Sequence, residues 1–332
     1  MSSKETEIIQ YIKSISEKNF TNENSIVKIG DDATLVSSKN HYQLITTDAS
    51  VEGTHFNIDK ISPEDIGWKC AISNISDIAA MGGNPENALV SIGIREKVET
   101  SWVNSVMDGI KNAMDKYGAN IVGGDIVKST TIFINITLTG LPSLDSESNP
   151  IWLSRKTAKD GDYIAVTGNL GSSLMALSLL DSDDEVRLNN PAWSKHVRPE
   201  ARIETGILAV SSGIRTGMDI SDGLINDLEK ISLSSKHDIL INIEKIPVFP
   251  YLQTFLSKSE SVDIALNSGE EYELILIGSK QKLNQVNSLS NVEITTIGKV
   301  INKNESSPAV KITSVDGKPY LPKSKSWKHF YE

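Results

Sequence analysis

Near the start of the chain, Ile8, Ile9, Ile12 and Ile15 recur at helical spacing, and Ser2 with Glu5 has the form of a capping box. The pattern predicts a leading amphipathic helix. Short extended segments follow around 26–29 and 33–37, then YQLITTD at 42–48. Ser62-Pro63-Glu64-Asp65 is written as a helix start, with an N-cap, a proline at N1 and acids in the first turn. The helix carries Ile66, Cys70, Ile75, Ile78 and Ala79 and is expected to stop near Gly82-Gly83. NALVSIGIR at 87–95 reads as a strand, and 101–117 as a helix with Val103, Val106, Ile110, Met114 and Tyr117 on one face. A short apolar run, 119–122, leads into Gly123-Gly124-Asp125, and TIFINITLTGL at 131–141 alternates with strand periodicity.

The second half opens on a strand at 162–168, with helices expected at about 171–180 and 200–212. A strand-like entry leads into GMDISDGL at 217–224, and a helix runs on to about 235. Strands are expected at 239–243, 271–278 and 293–300, with a helix near 279–290. Helices interleave with strands, but some strands are sequence neighbours, which points to α+β rather than a purely parallel sheet. A chain of 332 residues favours two domains. The Pro/Ser/Asn-rich stretch PSLDSESNP at 142–150 is the best linker candidate, which divides the chain into 1–148 and 149–332.

Composition narrows the function. The formal charge of −10 argues against a nucleic-acid protein and against docking on anionic membranes. It leaves room for an anionic ligand if cations are bound. The single cysteine, Cys70, excludes an internal disulfide framework, a Cys-rich zinc site and an Fe–S cluster, and fits a reducing compartment. No stretch approaches the roughly 20 apolar residues that span a bilayer, and the first residues lack the form of a signal peptide. The expected setting is the cytoplasm.

No P-loop, dinucleotide fingerprint, zincin motif or nucleophile elbow occurs. What recurs is aspartate at the end of an apolar run beside small residues: IGDDA (29–33), ITTDA (45–49), NISDIAAMGG (74–83), IVGGDI (121–126) and GMDISDG (217–223). A single such Asp is most simply a turn or cap residue. Five in one chain point to carboxylates converging on a cleft. A converged cluster takes up protons or cations, and an all-oxygen donor set selects Mg²⁺, which ordinarily pairs a few carboxylates with substrate phosphates. Asp219 and Asp222, at i and i+3 beside Ser221, share a face if a helix starts there.

The runs IGDDA, TTDASVEGTHF, GWKCAISNISDIAAMGG, YGANIVGGD, LSRKTAKDGDYIAVTGNLG, KHVRPEARI, MDISDGL, SGEEYEL and SWKHF, in this order, resemble the thiamine-monophosphate kinases. These are members of a wider family that includes aminoimidazole ribonucleotide synthetase and selenophosphate synthetase, and the resemblance runs from about 28 to 330. It implies a two-domain α+β architecture: a ferredoxin-like N-terminal domain that binds ATP and Mg²⁺ and dimerises, and a C-terminal α/β domain that completes the nucleotide and substrate sites. It implies a homodimer. By resemblance, Asp32, Thr46, Thr47, Asp48, Asp77, Asp125, Asp219 and Asp222 fall where the family holds several Mg²⁺ ions. Tyr117, Gly124, Arg155 and Ser221 fall on ATP-contacting positions, and His55, Glu270 and Trp327 on thiamine-phosphate positions. The chain departs from the family's GGEDYEL run at Ser268 and Glu271, and from GGDT at Ile126.

The implied chemistry agrees with the residues. A phosphate monoester has a second pKa near 6, so the acceptor is largely a dianion at neutral pH and needs no general base. Metal-assisted in-line transfer from ATP answers the repulsion between that dianion and the triphosphate. Trp327 is expected to cover the cationic thiazolium, a contact worth about 0.5–2 kcal/mol, or to stack on the pyrimidine. The alternative is a catalytically silent protein of the same family that binds Mg²⁺-nucleotide without turnover; it has no need of the complete set of acidic motifs.

Overall fold

The computed structural model describes residues 4–18, 25–38, 41–304 and 306–322. The isoleucine repeat forms helix α1 (Lys4–Lys18), but Ile8, Ile9, Ile12 and Ile15 are 44–47% exposed, so its apolar face is largely uncovered in the single chain. Ser2 of the expected capping box lies outside the described residues.

The first half builds one mixed sheet. Its elements are β1 (Ser25–Val27), β2 (Thr34–Ser38), β3 (His41–Val51), α2 (Pro63–Ala80), β4 (Gly83–Ile94), α3 (Thr100–Lys116), β5 (Asn120–Lys128), β6 (Phe133–Leu144) and β7 (Pro150–Ile151). Strand order is β1-β2-β3-β6-β4-β5, with β7 on β6; only β4 and β5 run parallel. Ser62 caps α2 as expected, its hydroxyl accepting from the Asp65 amide at 3.2 Å. Helix α2 packs on β3, β4 and β6 and against α3. The two helices approach so closely that a Cβ on Gly109 would meet the Glu64 carbonyl oxygen at 1.9 Å, and one on Gly67 the Val106 carbonyl oxygen at 2.0 Å.

The second half comprises β8 (Tyr163–Thr167), α4 (Ser172–Leu177), α5 (Asp184–Leu188), α6 (Pro191–Val197), α7 (Ile203–Ser211), β9 (Thr216–Asp219), α8 (Leu224–Ser235), β10 (His237–Asn242), α9 (Lys258–Asn267), β11 (Leu274–Gly278), α10 (Lys280–Leu289), β12 (Ile294–Lys303) and β13 (Val310–Thr313). Its sheet runs β13-β10-β12-β8-β11-β9, antiparallel except for β10 with β13. The expected two-part α+β architecture is present.

Two expectations change. The stretch 142–150 is no free linker: it closes β6 onto β7, with Asp145 accepting from the amides of Glu147 and Asn149 at 2.9 Å each. The passage to the second sheet falls after β7. The strand expected at 271–278 begins only at Leu274, because Glu270 and Tyr272 take left-handed backbone with φ of 53° and 54°.

Helix α2 joins the halves. Beyond its own sheet it touches α6, α7 and β9, and Trp68 Nε1 donates to the Pro199 carbonyl at 2.9 Å. A helix covered on all sides is apolar nearly all round, so the polar groups it does bury, Lys69, Asn74, Ser76 and half-buried Asp77, stand out. Among the described residues no helix is long and apolar enough to cross a membrane.

Candidate active site

Four of the five acidic runs meet where α2 faces the second sheet. Asp32 follows the turn after β1, Asp77 sits on α2, and Asp219 ends β9; their carboxylate oxygens all lie within 4.8 Å of one another. At that separation two full charges repel by about 3.5 kcal/mol at an effective dielectric of 20. Burial pushes Asp77 and Asp219 well above the usual carboxylate range, reinforced for Asp77 by Asp48, Asp219 and Asp32, and for Asp219 by Asp32. Thr46 donates to Asp77, and Ser76 Oγ donates to Asp219 at 2.7 Å. A close set of oxygen donors with no His or Cys among them suits Mg²⁺.

Strand alternation sorts the TTD run. Thr46 is buried and points to the cluster, and Asp48, two residues on, shares that face. Burial raises Asp48 too, against a hydrogen bond from Ser73. Thr47 points to the opposite face, where it donates to the Ile136 carbonyl at 3.2 Å. Asp222 stands at the cluster's edge, paired with Lys230 at 2.6 Å and close enough to Asp48 to raise it. Asp125 is elsewhere: it lies on exposed edge strand β5, its Oδ1 accepting from the Ile126 amide at 2.9 Å.

Of the residues matched to nucleotide positions, Arg155 and Ser221 border the cluster. The Arg155 guanidinium pairs with Asp32, while Asp31 accepts from the Arg155 amide at 2.8 Å and from Ser154 Oγ at 3.2 Å. Burial opposes the charge of Arg155, but Asp32 more than offsets it and its pKa is raised. The Arg155 Nε is buried with no hydrogen-bond partner among the described residues. A cavity of about 630 Å³ adjoins this corner, lined by Lys13, Lys28, Gly30, Asp32, Thr46 and neighbours. The Ser221 and Asp222 amides donate to Asp227 at 3.0 and 3.1 Å, which fixes the turn after β9. Tyr117 ends α3, its hydroxyl accepting from the Ala201 amide at 3.0 Å, so it joins the halves rather than facing the cluster. Gly124 has a packing reason: a Cβ there would meet the Val90 carbonyl oxygen at 1.8 Å.

The residues matched to the thiamine phosphate flank the other side. His55 is half-buried, its Nδ1 accepting from the Val51 amide at 3.0 Å. Glu270 accepts from Lys69 Nζ at 2.8 Å. Burial alone would raise Glu270, but the Lys69 ammonium, as a charge and as a hydrogen-bond donor, outweighs it and the carboxyl is lowered. Trp327 lies outside the described residues.

Asp31, Lys69, His196 and Asp227 were not singled out from the sequence. Lys69 is a lone charge in the apolar run of α2, and Asp227 follows the SDG turn by one helical turn; those are the signals that were there to find. The partners of Lys69, at 196 and 270, are brought to it only by the fold.

Residues 30–141 match the family model described as AIR synthase related protein, N-terminal domain, and residues 159–311 match the corresponding C-terminal domain. The thiamine-monophosphate kinase of Aquifex aeolicus (strain VF5) is 34% identical over 91% of this chain and 92% of its own length. That of Bacillus subtilis (strain 168) is 32% identical over 96% and 98%. The solved structure of AaThiL complexed with AMPPCP and TMP superposes with a TM-score of 0.81 at 32% identity, covering 99% of each chain. A crystal structure of thiamine monophosphate kinase from Aquifex aeolicus gives a TM-score of 0.76 at 31% identity, over 96% of this chain and 99% of that one. With these relatives matched along nearly their whole length, the chain belongs to the thiamine-monophosphate kinase family.

Proposed function

We propose that the protein transfers the γ-phosphoryl of ATP directly to thiamine monophosphate, giving thiamine diphosphate and ADP. The observation that carries this is the convergence of Asp32, Asp77 and Asp219 within 4.8 Å beside Arg155, in a chain whose relative AaThiL was solved with AMPPCP and TMP. Asp32, Asp77 and Asp219, with Asp48 and Asp222 at the edge, are the residues that would hold Mg²⁺. When bound, the ions offset the phosphates' charge and align donor and acceptor.

The chain's own residues supply the rest. Arg155, held charged by Asp32, has a buried Nε in need of an acceptor, which a phosphate oxygen provides. Lys13 and Lys28 line the adjoining cavity and add positive charge for the triphosphate. Glu270 and His55 hold the thiamine phosphate, and Trp327 covers its ring system. No side chain is needed as base or nucleophile: the acceptor is a dianion. His196 is pushed down to about 3 by burial and so stays neutral and hydrogen-bonded, and burial pushes the Cys70 thiol up to about 11.

The functional protein is a homodimer working in the cytoplasm, each chain divided just after β7, close to the boundary at 148 expected from the sequence. Support for the dimer comes from β5, an edge strand that leaves Val122, Ile126 and Val127 41–65% exposed. A second copy on that edge buries them and re-partners Asp125. Direct transfer is tested with γ-labelled ATP. Label moves to thiamine diphosphate and never to protein when the acceptor is omitted; labelled protein in that control contradicts the direct route.

A further inference from the structure

The loop 268–273, between α9 and β11, holds two non-glycine residues in left-handed backbone, Glu270 and Tyr272. Side chains disfavour that region, and two such residues within three persist only where their surroundings over-determine them. Glu271, between the two, is the fastening. Its Oε1 accepts from the Gly171 amide at 2.9 Å, from the Ser173 amide at 3.0 Å and from the Ser268 hydroxyl; its Oε2 accepts from Ser172 Oγ at 2.8 Å. Ser268 Oγ in turn accepts from the Leu174 amide at 2.9 Å. Glu271 and Ser268 thus satisfy the free amides around the first turn of α4, and both are buried.

The fastening returns to Glu270 by a second route. Ser173 Oγ pairs with His196 Nδ1 at 2.9 Å, His196 Nε2 with Lys69 Nζ at 3.2 Å, and Lys69 Nζ with Glu270 Oε2 at 2.8 Å. An ammonium only donates, so His196 Nε2 accepts and its Nδ1–H donates to Ser173. The ring runs Glu271–Ser173–His196–Lys69–Glu270 and closes through the backbone. Ser268 and Glu271 are also the two positions at which this chain departs from GGEDYEL, and they touch each other.

We propose that the Glu271–Ser268 pair is a positioning device that aims Glu270 at the thiamine phosphate, a proposal resting on the substrate reading above. Glu271 touches no substrate. Glu271→Asp withdraws the carboxylate by about one C–C bond, ~1.5 Å, and Ser268→Ala removes one of its donors. Each single variant is expected to raise KM for thiamine monophosphate about tenfold, with kcat and KM for ATP essentially unchanged. The thermal shift that thiamine monophosphate gives each variant provides a readout independent of turnover, and Ser268→Ala covers the case in which Glu271→Asp fails to fold. If the wild type uses thiamine monophosphate but the single variants leave its KM unchanged, or lower kcat and affinity for both substrates alike, the positioning role is overturned. A wild type that does not phosphorylate thiamine monophosphate overturns the substrate reading and this proposal with it.

Discussion

Three carboxylates whose oxygens share a 4.8 Å site cannot all ionise cheaply, and that sets how the protein responds to pH. Asp48, Asp77 and Asp219 are raised, and Asp227 is raised to about 6, in each case by burial first. A raised carboxyl lends the fold stability below its unfolded value and withdraws it as pH climbs through the folded value. The metal-free protein is therefore expected to lose melting temperature from pH 5 to pH 8, and Mg²⁺ to restore more of it at pH 8 than at pH 5. Differential scanning calorimetry with EDTA or Mg²⁺ checks this; a Mg²⁺ gain independent of pH contradicts it. His196 works in the opposite sense, since its folded value is depressed to about 3. Its contribution is present above about 6.5, the ordinary histidine value, and fades as pH falls toward 3. Cys70, buried with its thiol pushed up to about 11, is expected to resist thiol reagents until the chain unfolds. Labelling at the folded state's rate of a free thiol would contradict that burial. The acidic runs were legible because each cluster member sits in a short pattern of its own. Lys69, His196 and Asp227 were not, because their meaning lies in partners supplied by the fold.

At the scale of elements, the helix pair is the sharpest packing constraint. Gly67 and Gly109 let α2 and α3 cross with backbone against backbone, and α2 is what carries Lys69, Ser76 and Asp77 to the site. Gly109→Ala is expected to cost about 1–3 kcal/mol, the usual range for overpacking, read as a lower urea midpoint. An unchanged midpoint would mean that the helices can separate freely. The long helices were legible from spacing, as was the capped start of α2. Helix α4 falls inside the helix expected at 171–180, although it is shorter and is fastened by Glu271 rather than by a side-chain cap of its own; the short α5 and α6 were not anticipated. β11 starts three residues later than its apolar run suggests because Glu271 is turned to α4 and Tyr272 takes left-handed backbone, which interrupts the extended run. The Pro/Ser/Asn stretch at 142–150 read as a linker because turn chemistry is shared by hairpins and linkers alike.

For the whole molecule, the site exists only because the halves meet: Ser76 to Asp219, Arg155 to Asp32, and Lys69 to Glu270 each cross from one half to the other. The exposed β5 edge extends the same logic to a second copy. Ile126→Lys is expected to shift the protein from dimer to monomer by sedimentation velocity, and a wild type that sediments as a monomer contradicts the dimer. The most direct test of the central claim is one assay: ATP, Mg²⁺ and thiamine monophosphate, with products separated by chromatography, for the wild type, for Asp219→Asn and for the wild type with EDTA. Thiamine diphosphate is expected from the untreated wild type alone, with no comparable phosphorylation of free thiamine, whose hydroxyl, unlike the phosphate dianion, must lose a proton. Full activity with EDTA, or Asp219→Asn turning over like the wild type, would contradict it.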